Sequence, residues 1–108
     1  MGEFDTTKTD IGRPEGYNLF GEALYAIQYP PETEATYLAN LEAAVRRVND
    51  NPDDEDAIVW HGRRLGYLTR YREAIEVYSE GLNKFPESFV LFRHRGHRLI
   101  SIRRFAEA

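Results

Sequence analysis

The residues most capable of chemistry in this chain of 108 residues lie near its end. Positions 93–105, RHRGHRLISIRRF, hold five arginines and two histidines. On a helix, Arg93, His94 and His97 share one face with Ser101, because neighbours on that face are spaced three or four residues apart. Guanidinium groups bind carboxylate or phosphate through forked hydrogen bonds, and a histidine adds a donor. The stretch therefore predicts either an anion site or charge that belongs to the architecture.

Catalysis and metal binding are weaker interpretations of the same residues. His94 and His97 offer two metal ligands, whereas zinc sites use three or four. Ser101 has no evident base to activate it, and neither a glycine-rich phosphate loop nor a G-x-S-x-G motif occurs. The chain also has no cysteine. We predict that the protein is not an enzyme and that it holds no metal and no cofactor.

Composition and charge limit the other classes of function. Hydrophobic residues make up 42% of the chain, and its formal net charge is −4. Residues 1–54 carry four basic side chains against eleven acidic ones, whereas residues 55–108 carry ten against seven. An acidic total argues against a dedicated nucleic-acid binder. No apolar run reaches the roughly 18–20 residues that span a bilayer, and no signal peptide is visible at the start. These features predict a soluble protein without a membrane partner and favour the cytoplasm.

The chain divides near residue 31 into an arm and a helical part. Glycine and proline recur through residues 1–31 and preclude a long helix, so we predict an extended or irregular arm. Its middle, GYNLFGEALYAIQY, is too apolar for a disordered tail and is expected to dock on the helices. Apolar residues at helical spacing follow. They predict helices at 32–50, 55–68, 71–84 and 88–102, with another beginning near Arg104.

The helical part repeats itself with a shift of 34 residues. Segment 55–74 then lies over 89–108, and the second helix of the pair ends at a proline. Small residues at matching positions let helix backbones approach, larger ones fill the space between them, and proline stops a helix. The positions that carry this pattern are Gly62, Leu65, Tyr71, Ala74, Tyr78, Pro86, Gly96, Leu99, Phe105 and Ala108.

The period and these residues resemble the tetratricopeptide repeat family. The resemblance implies an all-α solenoid of antiparallel helix–turn–helix units over residues 32–108. It divides that part into a partial repeat (32–54), a full repeat (55–88) and a truncated repeat (89–108). The family's usual leucine before the glycine is His61 or Arg95 here. The chain stops at Ala108, partway into a second helix, so we expect a longer parent protein and self-association through the uncovered end.

The resemblance also implies a concave groove along the first helix of each repeat. The residues that fall on this face are Val59, Trp60, Arg63, Tyr67, Arg93, His94, His97 and Ser101. The opposite faces are expected to be core, and they hold Ile58, Gly62, Leu65 and Leu68 with the copies Phe92, Gly96, Leu99 and Ile102. The clamp by which some members hold chaperone carboxy-terminal carboxylates is not reproduced, because its asparagines are missing.

Three functions remain open. The aromatic and basic groove favours a protein-interaction module that binds an acidic peptide or partner surface. Alternatively, the helix at 93–104 contacts RNA phosphates, with a steep dependence on salt. In the third interpretation the segment is purely structural and its own arm occupies the groove. Arg64 and Arg70 recur one period later as Arg98 and Arg104, at the same distances from the equivalent glutamates Glu73 and Glu107. We therefore interpret those arginines as structural ion pairs.

Overall fold

Four helices follow a two-stranded hairpin in a computed structural model that describes residues 14–17 and 22–102. The strands β1 (Gly16–Tyr17) and β2 (Ala23–Leu24) are antiparallel, with Gly16 opposite Leu24. The helices are α1 (Pro31–Asp50), α2 (Glu55–Tyr67), α3 (Tyr71–Lys84) and α4 (Phe89–Ser101). The prediction of an all-α fold is therefore confirmed for this part of the chain.

Local sequence accounts for where the helices begin. Pro31 occupies the first turn of α1, where its missing N–H is not needed. The Asp54 side chain accepts a hydrogen bond from the Ala57 backbone N–H at 3.2 Å and caps α2. Ser88 caps α4 in the same way, through the Leu91 N–H at 3.1 Å. These caps place the helix ends within a residue of the predicted ones.

Each helix packs against the next along the chain, and α2 also touches α4. The main core lies between all four helices, and a smaller cluster of Ile75, Leu99 and Ile102 lies near the end of α4. The core residues of the main cluster are all less than 9% exposed: Leu41, Val45, Ile58, Val59, Leu65, Leu68, Ala74, Tyr78 and Leu91.

The closest approach in this core joins α2 to α3. A Cβ atom at Gly62 would lie 2.2 Å from the Tyr78 ring, and one at Gly81 would lie 2.8 Å from Ile58. Only a residue without a side chain fits at either position. Tyr78 thus reaches from α3 onto the backbone of α2. Its ring therefore lies under the space between α2 and α4.

The prediction that Phe92 belongs to the core is wrong, since its side chain is 53% exposed. Its counterpart one period earlier, Ile58, is buried against Gly81 of α3. No described helix covers the matching face of α4, which leaves Phe92 exposed among the described residues. Phe105 and Ala108, which the repeat assigns to the next helix, lie outside the described residues.

The described arm residues contact the start of α3 and the turn before it. The Glu15 carboxylate accepts a hydrogen bond from the Arg72 backbone N–H at 2.9 Å, and Arg72 Nε donates to the Pro14 carbonyl at 3.0 Å. Thr69, which has a φ of 57°, accepts a hydrogen bond at its Oγ1 from the Ile27 N–H at 2.6 Å. A β-branched residue is strained in that conformation, so the arm and the α2–α3 turn hold each other in place.

Candidate functional site

A cleft of about 210 Å³ opens between α2 and α4, and α3 supplies its floor. Helix α2 forms one wall and α4 the other, while Tyr78 projects from α3 between them. Tyr78 can occupy this place because Gly62 has no side chain. The lining residues are Gly62, Arg63, Gly66, Tyr67, Tyr78, His94, His97 and Arg98.

The size of this cleft limits what it can hold. Sites for drug-sized ligands and cofactors run to roughly 300–1,000 Å³, whereas a cavity of about 150 Å³ accepts benzene. The cleft lies between these limits. It fits a single group of side-chain size rather than a nucleotide or a cofactor.

The lining is basic and contains no carboxylate from the described part of the chain. Arg63 and Arg98 supply two guanidinium groups, and His94 and His97 supply two imidazoles. The described ion pairs of Arg47 and Arg72 involve neither Arg63 nor Arg98. Two cations therefore face the cleft, and no acid of the described residues lines it.

His94, which lines the cleft, lies in this positive field. The pKa of His94 is lowered, first by partial burial and then by the charges of Arg63 and Arg93, with further contributions from His97 and Arg98. The His94 ring stacks on Tyr78 with 5.8 Å between ring centroids. An anion in the cleft would relieve the repulsion that opposes protonation of His94.

Aromatic side chains fix the guanidinium on the α2 wall. Arg63 lies 4.2 Å from the centroid of the Trp60 ring and donates a hydrogen bond to Tyr67 Oη at 3.3 Å. Arg64 covers the same ring at 4.9 Å and reaches the Tyr67 ring at 5.6 Å. Trp60 therefore stands beside the cleft and orients Arg63, through contacts of the cation–π type.

Arg98 supplies the guanidinium group on the α4 wall. Its guanidinium lies 5.0 Å from the Tyr71 ring centroid, and its Nη1 comes within 3.2 Å of where a Cβ at Gly66 would stand. Arg64 and Arg98 both lie over aromatic rings, whereas Arg104 and Glu107 of the predicted ion pairs lie outside the described residues. Arg98 also faces the cleft.

Tyr78 contributes a hydroxyl that remains protonated. Burial raises the pKa of Tyr78 to about 12, against which the positive charges of Arg98 and Arg63 act in the opposite direction. The phenol is therefore neutral at physiological pH and keeps its O–H as a donor. A ligand group in the cleft meets donors from both walls and from the floor.

The structure brings four of the eight predicted groove residues into this cleft: Arg63, Tyr67, His94 and His97. Val59 was predicted there wrongly, because its side chain is buried in the core that contains Leu41 of α1. Arg93 lies outside the lining, 5.9 Å from the Phe89 ring. Ser101 also lies outside it, and its hydroxyl donates to the His97 carbonyl at 2.9 Å.

Four lining residues were missed as groove residues: Gly62, Gly66, Tyr78 and Arg98. Gly66 and Arg98 each lie one helical turn beyond a predicted groove residue, so a wider stripe would have found them. Tyr78 was assigned a structural position, and nothing in the sequence indicates that a residue of α3 reaches the space between α2 and α4.

Other candidate sites are lacking in the described part of the chain. No described arm residue lines the cleft. No group of three or more potential metal ligands occurs among the described residues. None of the helices described is long and apolar enough to cross a membrane.

Comparison with models of protein families, with curated proteins and with solved structures finds no match to this chain. The cleft therefore has to be interpreted from its own geometry and charge.

Proposed function

We propose that this chain is a helical repeat module of the tetratricopeptide type that binds an acidic peptide, or an acidic surface of a partner protein, in the cleft between α2 and α4. One observation carries the proposal: two guanidinium groups, on opposite walls, face a cleft to whose lining the described residues contribute no carboxylate. A carboxylate from a partner would supply the missing counter-charge through charge-assisted hydrogen bonds.

The repeat type is supported by how α2, α3 and α4 pack. The small residue in the middle of α2, Gly62, receives the Tyr78 ring of α3, and Ala74 at the start of α3 is fully buried. Both residues stand where the 34-residue pattern requires a close approach. Leu65 and its counterpart Leu99, one period later on α4, are likewise fully buried.

The residues around the cleft add contact area to the charge. Tyr67 is 41% exposed at its edge, and Trp60 lies behind Arg63. Aromatic and arginine side chains dominate the binding energy of protein interfaces because they combine large area with directed donors. A peptide that places one acid in the cleft would also cover Tyr67.

The proposal is tested by peptide binding with a pair of matched variants. We expect a peptide library rich in glutamate and aspartate to bind the protein more tightly than a library in which those acids are replaced by glutamine and asparagine. Arg98→Gln removes one charge inside the cleft and is expected to weaken binding at least tenfold.

The control removes the same charge from the same helix outside the cleft. Arg93→Gln is expected to change affinity less than threefold, since rim charges contribute little. Equal losses of affinity in the two variants would mean that the peptides bind through nonspecific electrostatic attraction. That result would reject the cleft as their binding site.

A further inference from the structure

We propose that the group bound in the cleft is a phosphate monoester, the phosphorylated serine or threonine side chain of the partner peptide. This inference rests on the proposed function and names the chemical group that the cleft selects. Its basis is the way in which donors surround the cleft on three sides.

The donors come from three different elements. Arg63 projects from α2, Arg98 and His97 from α4, and the Tyr78 hydroxyl from the floor. A carboxylate has two oxygens in one plane, and a single guanidinium fork satisfies both. A phosphate monoester presents three acceptor oxygens that point in different directions. Only the second arrangement uses donors from both walls and the floor together.

Charge favours the same group. A phosphorylated side chain carries about −1.5 to −2 at pH 7, and the cleft holds two guanidinium groups with no described acid beside them. A single carboxylate would neutralise one of these charges. The other guanidinium group would then face a ligand that has no charge left to neutralise it. His94 can take up a proton as the dianion enters.

The volume of the cleft distinguishes a side chain from a polymer backbone. About 210 Å³ accommodates one phosphorylated side chain, whose single ester link leads out of the cleft. A phosphodiester carries one charge and continues as a chain on both sides, so it would have to lie across the opening. The cleft therefore selects a terminal phosphate.

The test compares three peptide libraries that are identical except at one central position, which is phosphoserine, glutamate or serine. A single-stranded RNA oligonucleotide of random sequence is the fourth probe. We expect the phosphoserine library to bind the full chain at least tenfold more tightly than the glutamate library. Arg98→Gln should abolish this preference, whereas Arg93→Gln should retain it.

Two additional variants help to distinguish loss of the binding site from loss of folding. Arg98→Lys keeps the charge but loses the fork, and we expect it to retain part of the preference. Arg63→Gln removes the charge from the opposite wall and should abolish the preference as Arg98→Gln does. Thermal unfolding confirms that each variant is folded, and the preference is read only in folded variants.

The outcomes separate this inference from the proposed function. If the glutamate library binds as tightly as the phosphoserine library, the phosphate inference is overturned and the acidic-peptide function stands. If neither acidic library binds better than the serine library, both are overturned. Tighter binding of the RNA, lost in Arg98→Gln, would also overturn both, because the cleft would then be a nucleic-acid contact.

Discussion

Gly62 is the residue on which the shape of the cleft depends most directly. Its missing side chain lets the Tyr78 ring enter between α2 and α4, and Tyr78 is only 1% exposed. We predict that Gly62→Ala lowers the free energy of unfolding by about 1–3 kcal/mol, because a buried ring must move to admit the methyl group. Urea unfolding of the two proteins measures this change.

Gly66 provides the matched control on the same helix. The nearest atom to a Cβ there is Arg98 Nη1, at 3.2 Å, the far end of a flexible side chain. Gly66→Ala is expected to keep or raise stability, by up to about 1 kcal/mol, since alanine is the better helix former. A loss at Gly66 as large as that at Gly62 would contradict the packing described for Tyr78.

His61 makes the stability of the fold depend on pH. Burial lowers its pKa to about 4, from 6.5 in the unfolded chain. Below pH 6.5 the unfolded state therefore binds a proton that the folded state does not accept until about pH 4. The contribution of His61 to the free energy of unfolding is fully present above pH 6.5. It falls as the pH drops and is lost near pH 4, a decrease of about 3 kcal/mol in total.

A variant isolates the contribution of His61. In His61→Leu, the part of the pH dependence between 6.5 and 4 is expected to disappear from urea unfolding curves, while His97→Gln should preserve it. His97 is exposed and serves as the matched histidine. An unchanged pH profile in His61→Leu would assign the acid sensitivity to other groups.

At the level of single residues, the sequence predicted the small and buried positions better than the groove. Gly62 and Ala74 stand where close approach was expected. Val59 and Arg98 were misplaced, because successive residues of a helix are rotated by about 100°, so adjacent positions can lie on a core face and on an exposed face. The resemblance to a family gave that face by position alone, and only the packing of α1 against α2 decides it.

The arm and α3 form the element pair whose contact is best defined. The residue before α3, Arg70, makes no side-chain cap. The Glu15 carboxylate takes over that role by accepting a hydrogen bond from the N–H of Arg72, which lies 57 positions later in the chain. Its side chain is only 4% exposed, and its Oε2 lies 3.5 Å from Arg72 Nη2. A carboxylate at this end of a helix is also favoured by the helix dipole.

We predict that Glu15→Ala lowers the free energy of unfolding by about 1–3 kcal/mol, the cost of leaving a buried hydrogen-bonding group without its partner. Glu15→Gln keeps one acceptor oxygen and should lose less. Glu42→Ala, at an exposed site on α1, is the control and should change stability by less than about 0.5 kcal/mol. Equal stability of Glu15→Ala and the parent protein in urea would show that the arm does not cap α3.

Helix boundaries could be predicted from the sequence because capping residues are local signals. Asp54, Ser88 and Pro31 mark three helix starts, and each acts within one helical turn. The capping of α3 could not be predicted, since its partner is remote in sequence. The exposure of Phe92 could not be predicted either, because it depends on which helix lies against α4.

At the scale of the whole molecule, the charges of the cleft and the contacts of the arm lie apart. The basic groups that line the cleft come from α2 and α4, and its floor belongs to α3. The arm meets the turn between α2 and α3 and the end of α4, where a Cβ at Gly16 would lie 2.7 Å from the Ile102 carbonyl oxygen. The described arm contacts therefore leave the cleft open to a ligand.

Binding at the cleft should weaken as salt is added, because its charges are partly exposed. We predict that the affinity for an acidic peptide falls between 50 mM and 500 mM salt. The loss should be smaller in Arg98→Gln, which has one charge fewer. A salt dependence equal in Arg98→Gln and the parent protein, measured by fluorescence anisotropy, would place the binding elsewhere.

The measurement that tests the central claim most directly is a titration of the ¹⁵N-labelled protein with the phosphoserine peptide library, followed by NMR. We predict that the amide signals of Gly62 and Gly66 and the side-chain signals of His94 and Arg98 shift together and saturate, while the signals of α1 stay unchanged. Shifts confined to the exposed Phe89 and Phe92, or no saturable shift at the cleft, would contradict the account.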